Sequence, residues 1–368
     1  MYQEVMSNVV NPMMIILARE YRELTQSELA ARLHIGQGHL SKIENGLVEV
    51  TTKTLNEMIE ILQYPKAFFM KRAEIYPPGL AFYRKYKSLP KKLQWKIGAT
   101  ANICRLHIES LLLSADIECK RVPYCDLAEY ETPEHVAQSL REYWRIPYGP
   151  IKNLSIVAEN AGALIKMTEF ETRAFDGMSI PASDVYYILL INASMPWDRI
   201  RWTIAHELGH LVMHKLPTPD MEDEANRFAA EFLMPSSVIR HELTDISLPK
   251  LADLKPRWKV SMAALLRKAR TLGMTTERHY RYLWMRMSRY GWKMREPVAL
   301  DIPAEHPFLL QELFALHLDK LHYSLEELAR ILSMDPQEFL TVYRTQIPTT
   351  SSYKLQVLKG GKQEKTLA

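Results

Sequence analysis

Residues His206, Glu207 and His210 stand at the spacing H-E-x-x-H, which brings two imidazoles and one carboxylate into a short stretch of chain. If residues 202–214 form a helix, the two histidines lie one turn apart on one face and can bind one Zn²⁺. Glu207 then lies beside the ion without being a ligand. It can accept a proton from an activated water and return it to a leaving amine. The three residues therefore predict a metal-dependent hydrolase.

The residues around this motif are mostly apolar, which predicts a largely buried helix. Burial of two histidines and a glutamate is costly unless a partner satisfies them, and a metal ion would do so. The alternative is a core helix whose histidines are only hydrogen-bonded. The apolar flanking residues are Trp202, Ile204, Ala205, Leu208, Leu211, Val212 and Met213.

A catalytic zinc site needs a third protein ligand besides the two histidines. His214 lies eight residues after His206, which is about 12 Å of helix rise and too far for one ion. A better source is the segment from Met221 to Pro235, whose apolar residues recur with helical spacing and whose proline ends the pattern. The sequence therefore predicts that a second amphipathic helix supplies the third ligand.

Glu222 on this second helix can complete a His₂Glu site, and Asn226, one turn later, can orient a ligand side chain. Glu224 and Glu231 remain alternative third ligands. A further interpretation is that all these acids form a solvated helix surface. The ligand set does not select one metal, because Mn²⁺ or Fe²⁺ also binds His₂Glu sites.

The two motifs, about a dozen residues apart, resemble the ImmA/IrrE family of bacterial and phage metallopeptidases. The resemblance covers approximately residues 140–240 and includes R-E-Y-W-R-I-P-Y-G-P-I-K-N-L at 141–154. It implies a gluzincin-like α+β domain with a zinc ion on His206, His210 and Glu222. It also implies endoproteolysis of a DNA-binding repressor, which switches on a stress or prophage programme.

The N-terminal region carries the signals of several short helices. Residues 13–22 predict a first helix, and Thr25 with Glu28 predicts a capping box at the start of the second. A tight turn with Gly36 leads to the segment Q-G-H-L-S-K-I-E, which Asn45-Gly46 ends. Two short helices about a glycine turn predict a helix-turn-helix.

The run T-Q-S-E-L-A … L-S-K-I-E-N-G resembles the XRE family of phage-repressor-like proteins over about residues 10–68. The resemblance implies that the third helix enters the DNA major groove. Gly38 departs from the pattern, because a side chain usually stands at that position. The residues implied to contact DNA are Gln37, Gly38, His39 and Lys42, with Gln26 near a phosphate.

Charge is distributed unevenly along the chain. Residues 1–65 hold five Lys/Arg against eight Glu, so this domain alone is expected to bind DNA phosphates weakly. Residues 66–105 hold ten Lys/Arg against one Glu and predict either a DNA- or acid-binding surface or a solvated linker. Residues 257–295 hold eleven Lys/Arg against one Glu, with Trp284, Tyr290 and Trp292 among them. This pattern suits a nucleic-acid surface or arginine stems packed on aromatic rings.

Between the motifs the sequence predicts helices at 96–118, 133–145 and 151–160 and then three strands. The strands are G-A-L-I-K-M-T-E-F, M-S-I-P and D-V-Y-Y-I-L-L-I-N, which are rich in β-branched and aromatic residues. The segment Tyr186–Ile191 is a candidate edge strand beside the cleft, where a substrate backbone could add. Helices are predicted again after Leu248, including one with a capping box at Ser324 and Glu327.

These features predict a multidomain, mainly α protein. We expect a helix-turn-helix domain at 1–68, a basic helical linker at 69–130, a zinc metallopeptidase domain at 131–246 and a helical region at 247–368. The chain shows neither a membrane-length apolar run nor a cationic-then-apolar leader, and its three cysteines form no C-x-x-C pair. A cytoplasmic protein is therefore expected.

The predicted function is a zinc-dependent endopeptidase and transcriptional regulator. It would cleave a repressor or antitoxin to derepress a stress, prophage or mobile-element programme, and it is compatible with a homodimer. The alternative is a DNA-binding or toxin–antitoxin regulator whose peptidase-like domain senses or binds a partner without cleaving it. An intact Glu207 favours the enzyme, because a structural zinc site has no use for a base. The complete helix-turn-helix favours the regulator.

Overall fold

The structure is a computed structural model in which residues 9–76, 89–115, 122–170, 172–182 and 186–347 are described. Cys119, the chain after 347 and part of the basic stretch of residues 66–105 lie outside these ranges. Among the helices within them, none is long and apolar enough to cross a bilayer.

Five helices form the N-terminal module: α1 (Pro12–Tyr21), α2 (Gln26–Arg32), α3 (Gln37–Glu44), α4 (Thr52–Leu62) and α5 (Lys66–Phe69). The capping box is confirmed, since Thr25 and Glu28 bond each other's backbone N–H at the start of α2. The helices enclose an apolar cluster that includes Leu29, Leu40 and Ile43. The predicted helix-turn-helix is therefore formed by local signals, and Ala99, Ile103 and Leu106 from later in the chain complete its core.

Helix α6 (Lys91–Ala115) follows and packs along α1. Its first turns face the acidic N-terminal module, where Lys92 bonds Glu28 at 2.7 Å and Lys96 bonds Glu23 at 2.7 Å. The bond from Lys92 is the largest cause that lowers the pKa of Glu28 to about 2. At these two positions the basic segment contacts acidic residues of the same chain.

The central part contains the small sheet and the helices around it. After α7 (Leu127–Tyr130), α8 (Pro133–Tyr143) and α9 (Leu154–Asn160) come the strands β1 (Ala163–Thr168), β2 (Gly177–Pro181) and β3 (Tyr187–Asn192). The chain continues through α10 (Trp197–Met213), α11 (Met221–Leu233), α12 (Ser236–Ile239), a 3₁₀ turn (Arg240–Glu242), α13 (Leu248–Trp258), α14 (Met262–Thr271) and α15 (Glu277–Arg289).

The strand order is β1-β3-β2, with β3 parallel to β1 and antiparallel to β2. The prediction that Tyr186–Ile191 forms an edge strand is therefore wrong. Its run of apolar residues reflects burial on both faces, which is what an internal strand requires. Among the described strands, β2 and β1 are the edges.

Each face of β3 packs against a different layer. Leu189 and Ile191 join the core that contains α10 and α11, whereas Ile188 joins a cluster formed with α6 and the C-terminal helices. The first core includes residues on both sides of position 246, from Val122 to Met287. The domain boundaries remain predictions. The apolar core is continuous across the predicted boundary at residue 246.

The C-terminal part contains a 3₁₀ turn (Val298–Leu300), α16 (Leu309–Ala315), a π turn (Leu316–Lys320), α17 (Leu325–Leu332) and α18 (Pro336–Tyr343). Ser324 and Glu327 form the predicted capping box. Helix α18 contacts the start of the chain, because Glu338 receives two hydrogen bonds from Arg22 at 2.6 and 2.7 Å. The mainly helical, multidomain architecture with one small sheet is confirmed.

Candidate metal centre

Helix α10 carries the H-E-x-x-H residues through the middle of the core. Its N-terminal half is fixed by buried ion pairs, from Lys255 to Asp198 and from Arg201 to Glu305. These pairs connect the helix to α13 and to the segment that precedes α16. The helix is buried around most of its circumference, as its apolar flanking residues predicted.

Helix α11 packs closely on α10 at Gly209. A Cβ at this position would lie 2.9 Å from Cδ1 of Phe228 and 3.3 Å from Cα of Ala225. The first distance is shorter than Cβ atoms adopt and the second is tighter than most Cβ contacts, so a side chain here would displace Phe228 or the backbone of α11. The approach brings the first turn of α11 next to the histidines of α10.

The structure brings His206, His210 and Glu222 together at this crossing. The Nε2 atoms of the two histidines are 3.0 Å apart. Glu222 Oε1 lies 3.5 Å from His210 Nε2, and Oε2 lies 3.8 Å from His206 Nε2. The histidines are buried and Glu222 is partly exposed, so the cluster reaches solvent at the glutamate.

These three residues fit a divalent metal ion. Donor atoms bound at about 2.0–2.1 Å to one ion lie within about 4.2 Å of each other. The two histidine nitrogens are 3.0 Å apart, and each lies within 3.8 Å of one oxygen of the Glu222 carboxylate. Two imidazoles and one carboxylate are the donors of a catalytic site that keeps one position open. Glu222 therefore lies where the predicted third ligand has to lie.

Glu207 is completely buried next to this cluster. Burial is the largest influence on its carboxyl group and raises the pKa to about 7, while nearby His210 and Ser179 act in the lowering direction. The lowering influence of Ser179 comes from hydrogen bonds of its side chain and its backbone to the carboxyl group. A buried carboxyl group with a raised pKa is a strong proton acceptor once ionised.

The alternative third ligands have other partners. Glu224 Oε2 accepts a hydrogen bond from His214 Nε2 at 2.9 Å, and His214 Nδ1 lies 3.0 Å from Nδ1 of His210. The pKa of His214 is lowered, chiefly by burial and then by His210, against the influence of Glu224. Glu231 is bound by Lys268 at 2.6 Å. The contact between His214 and Glu224, which joins the end of α10 to α11, has no signal in the sequence pattern.

Asn226 lies one turn after Glu222, as expected. Its side-chain amide donates to the backbone carbonyl of Glu222 at 2.7 Å, which is an ordinary bond along one helix. This bond does not reach the carboxylate of Glu222, and the proposed orienting role of Asn226 stays a prediction.

The third helix of the N-terminal module exposes the residues that the resemblance placed on DNA: Gln37, Gly38, His39 and Lys42. A Cβ at Gly38 would meet no atom within 4 Å, so this face is open. Gln26 is instead part of an internal network. Its amide donates to Glu44 at 2.7 Å, and its oxygen accepts from Gln37 at 2.9 Å. A phosphate contact of Gln26 stays a prediction.

The basic segment 257–295 uses its aromatic rings as platforms for its own cations. Arg267 lies over the ring of Trp284 at 5.2 Å, and Lys293 lies over the same ring at 4.7 Å. Arg286 contacts the rings of Tyr282 and Tyr290. Two interpretations were open from the sequence. These contacts match the one in which basic side chains pack on aromatic rings.

Two segments of the chain match known family models. Residues 15–69 match the helix-turn-helix model, and residues 158–270 match a peptidase model described as the IrrE N-terminal-like domain. No curated protein matches the chain. Two parts of the chain are thus similar to known domains, a helix-turn-helix and an IrrE N-terminal-like domain, and the second match contains every residue of the candidate metal centre.

Proposed function

We propose that the protein is a zinc-dependent endopeptidase that cleaves a DNA-binding repressor or an antitoxin. One observation carries this proposal: Glu207, buried and with a raised pKa, lies beside three donors that fit one metal ion. A site that only held the fold together would gain nothing from this carboxyl group. Zn²⁺ is the metal we propose, and Mn²⁺ or Fe²⁺ suit the same ligands.

The residues of the site have separate roles in this reaction. His206, His210 and Glu222 would hold the metal ion, which when bound polarises the scissile carbonyl and activates water. Glu207 takes the proton from the attacking water and delivers it to the nitrogen of the leaving amine as the C–N bond breaks. The products are a carboxylic acid and an amine, so no further reactant is needed.

Strand β2 is the proposed binding strand for the substrate. It is an edge strand among the described strands, and its residue Ser179 lies close enough to Glu207 to influence the pKa of that carboxyl. An extended substrate segment that pairs with the outer edge of β2 would place its backbone at the metal centre. This role replaces the one that the sequence analysis gave to β3.

The helix-turn-helix module would determine where the enzyme binds. We propose that it binds DNA, or a partner that carries a similar module, and so brings the peptidase to a repressor or antitoxin. Cleavage would then derepress the genes that the partner silences. The proposal places the protein in the cytoplasm, and a homodimer remains compatible with it.

Metal content and cleavage test the proposed function together. Elemental mass spectrometry of wild type and Glu207→Gln should find about one zinc per chain, whereas Glu222→Ala and His206→Ala should lose it. Glu207→Gln should also lose cleavage of a captured partner, because the variant keeps the metal but has no base. Wild-type protein without metal after zinc is supplied would refute the proposal.

The rival function is a DNA-binding regulator that holds its partner without cleaving it. The exposed face of α3 favours this alternative, because a DNA-binding module works without any hydrolysis. A wild-type protein that binds zinc and captures the same partner as Glu207→Gln, with both partners intact, would establish the rival.

A further inference from the structure

A second polar pair lies behind the candidate metal centre. His214 Nδ1 is 3.0 Å from Nδ1 of His210, and His214 Nε2 is 2.9 Å from Oε2 of Glu224. The side chain of His214 is 4 % exposed, and that of Glu224 is 22 % exposed. The proposed reaction uses neither residue, yet both are connected to a proposed ligand through its outer nitrogen.

The hydrogen bonds of this chain of groups can run in only one direction when Nε2 of His210 serves as a ligand. A neutral imidazole carries one N–H, so the proton of His210 must then be on Nδ1. That N–H can donate only to an unprotonated Nδ1 of His214. The proton of His214 is therefore on Nε2, where the carboxylate of Glu224 accepts it.

We propose that His214 and Glu224 are a positioning pair for His210. Nδ1 of His214 accepts a hydrogen bond from the Nδ1–H of His210, which fixes the His210 ring and leaves its Nε2 free for the metal. Glu224 holds His214 in turn by accepting a hydrogen bond from its Nε2–H. A histidine ligand usually donates its outer N–H to a carboxylate, a carbonyl or water. Here a second imidazole spans the gap to the carboxylate. This inference rests on the proposed metal site.

The positions of the two residues in the fold suit this role. His214 is the residue that ends α10, and Glu224 lies in the first turn of α11. The same turn carries Glu222, so the pair joins the end of the histidine helix to the turn that carries the third ligand. A carboxylate is also favoured at a helix N-terminus by the helix dipole.

The affinity for Zn²⁺ is the quantity that tests the pair. It can be measured with the full chain by competition with a chromogenic chelator, which needs no substrate and no activity. We expect His214→Ala to bind Zn²⁺ about ten- to a hundredfold more weakly than wild type. His214→Asn should recover part of the loss, because its side-chain oxygen can accept from His210.

Glu224 has a matched control on the same helix. Asp223 is exposed and next in sequence, so Asp223→Asn removes one negative charge near the site without touching His214. We expect Glu224→Gln to weaken binding and Asp223→Asn to have a much smaller effect. The double variant His214→Ala/Glu224→Gln should bind no more weakly than His214→Ala, because Glu224 acts through His214.

The outcomes separate this inference from the proposed function. Absence of zinc in wild type refutes the metal site itself. Zinc binding of equal strength in wild type and His214→Ala leaves the metal site standing and overturns the pair. Equal losses in Glu224→Gln and Asp223→Asn, or additive losses in the double variant, overturn the role of Glu224. If His214→Ala does not fold, His214→Asn takes its place. A weaker zinc affinity in His214→Asn than in Asp223→Asn supports the pair, and an equal affinity overturns it.

Discussion

Gly209 has no side chain, and the metal centre depends on that. Its Cα stands where α10 crosses α11, and a methyl group there would press on the ring of Phe228 and on the backbone at Ala225. The close crossing is what places Glu222 within 3.5 Å of His210. The fourth letter of H-E-L-G-H therefore serves the third ligand rather than the histidines.

Replacement of this glycine should damage folding and metal binding together. We expect Gly209→Ala to lower the free energy of unfolding by about 1–3 kcal/mol, because extra volume in a packed core must be accommodated by displacement. Zinc affinity should fall as well, since the displacement moves Glu222 away from the histidines. Chemical denaturation and a zinc titration measure the two effects.

Gly38→Ala is the control for that variant. Gly38 lies on the exposed face of α3, where a Cβ meets nothing within 4 Å, so stability should stay the same or rise by up to about 1 kcal/mol. Unchanged zinc affinity and stability in Gly209→Ala would show that the helix crossing is not as tight as described.

Two buried lysines differ in their partners. Lys268 is bound to the buried carboxylate of Glu231 at 2.6 Å. Lys166 instead donates to the backbone carbonyl of Val342 and to the side chain of Gln346, and no described carboxylate lies within ion-pair distance of it. Burial accordingly lowers the pKa of Lys166 to about 8.

The difference predicts opposite effects of the same substitution. The unfolded chain binds more protons than the native chain between pH 8 and 10.5, so Lys166 should make stability rise with pH in that window. Lys166→Met should remove this rise and increase stability at pH 7, by an amount on the order of 1–3 kcal/mol. Lys268→Met should cost about 3–5 kcal/mol, since it strands the charge of Glu231.

Urea unfolding of both variants and wild type at pH 7 and at pH 9.5 measures these effects. A Lys166→Met protein that is less stable than wild type at pH 7 would contradict the account. It would mean that the two hydrogen bonds of Lys166 outweigh the cost of burying its charge.

At the scale of single elements, the sequence predicts those whose signals are local. The capping box at Thr25 and the Asn45-Gly46 stop define the ends of neighbouring helices within a few residues. The H-E-x-x-H spacing likewise defines its own helix, and the place of Glu222 at the start of the next helix predicts it as the third ligand. Such signals do not depend on what the elements later pack against.

Elements that meet across long stretches of chain could not be predicted in this way. The central position of β3 depends on partners from two other segments, and an apolar run does not reveal which strand lies beside it. The contact between His214 and Glu224 also joins two separate elements. The distance along α10 excludes His214 from the ion but does not indicate which residue it meets on the next helix.

Helix α3 gives a prediction for DNA binding. Lys42 is exposed on this helix, so Lys42→Ala should weaken binding to duplex DNA and reduce the salt dependence of the binding constant by about one unit of slope. Fluorescence anisotropy over a range of salt concentrations measures both quantities. Lys53→Ala, an exposed lysine on α4, is the matched control. An equal change in both variants would remove α3 from the interface.

At the scale of the whole molecule, the last described helix contacts the first. Arg22, at the end of α1, holds Glu338 of α18 with two bonds and also lies over the rings of Tyr21 and Tyr64. The other end of α18 reaches α6 through a hydrogen bond between Tyr343 and His107. Helix α18 therefore connects the N-terminal module to the rest of the chain.

This connection should contribute measurably to stability. Arg22→Ala and Glu338→Ala should each destabilise the protein, and a double-mutant cycle should give a coupling free energy of about 1 kcal/mol, because the pair is bidentate but partly solvated. Denaturant unfolding of the four proteins measures the coupling. A coupling near zero would mean that the two residues are neighbours without holding the module.

The contact between Arg22 and Glu338 also has a consequence for synthesis on the ribosome. The two residues are 316 positions apart, and at about 5–20 residues per second the second follows the first after roughly 15–60 s. During that interval the helix-turn-helix can pack on α6 but lacks its contact with α18. A nascent or truncated chain would therefore present a helix-turn-helix module that is held by α6 but not by α18.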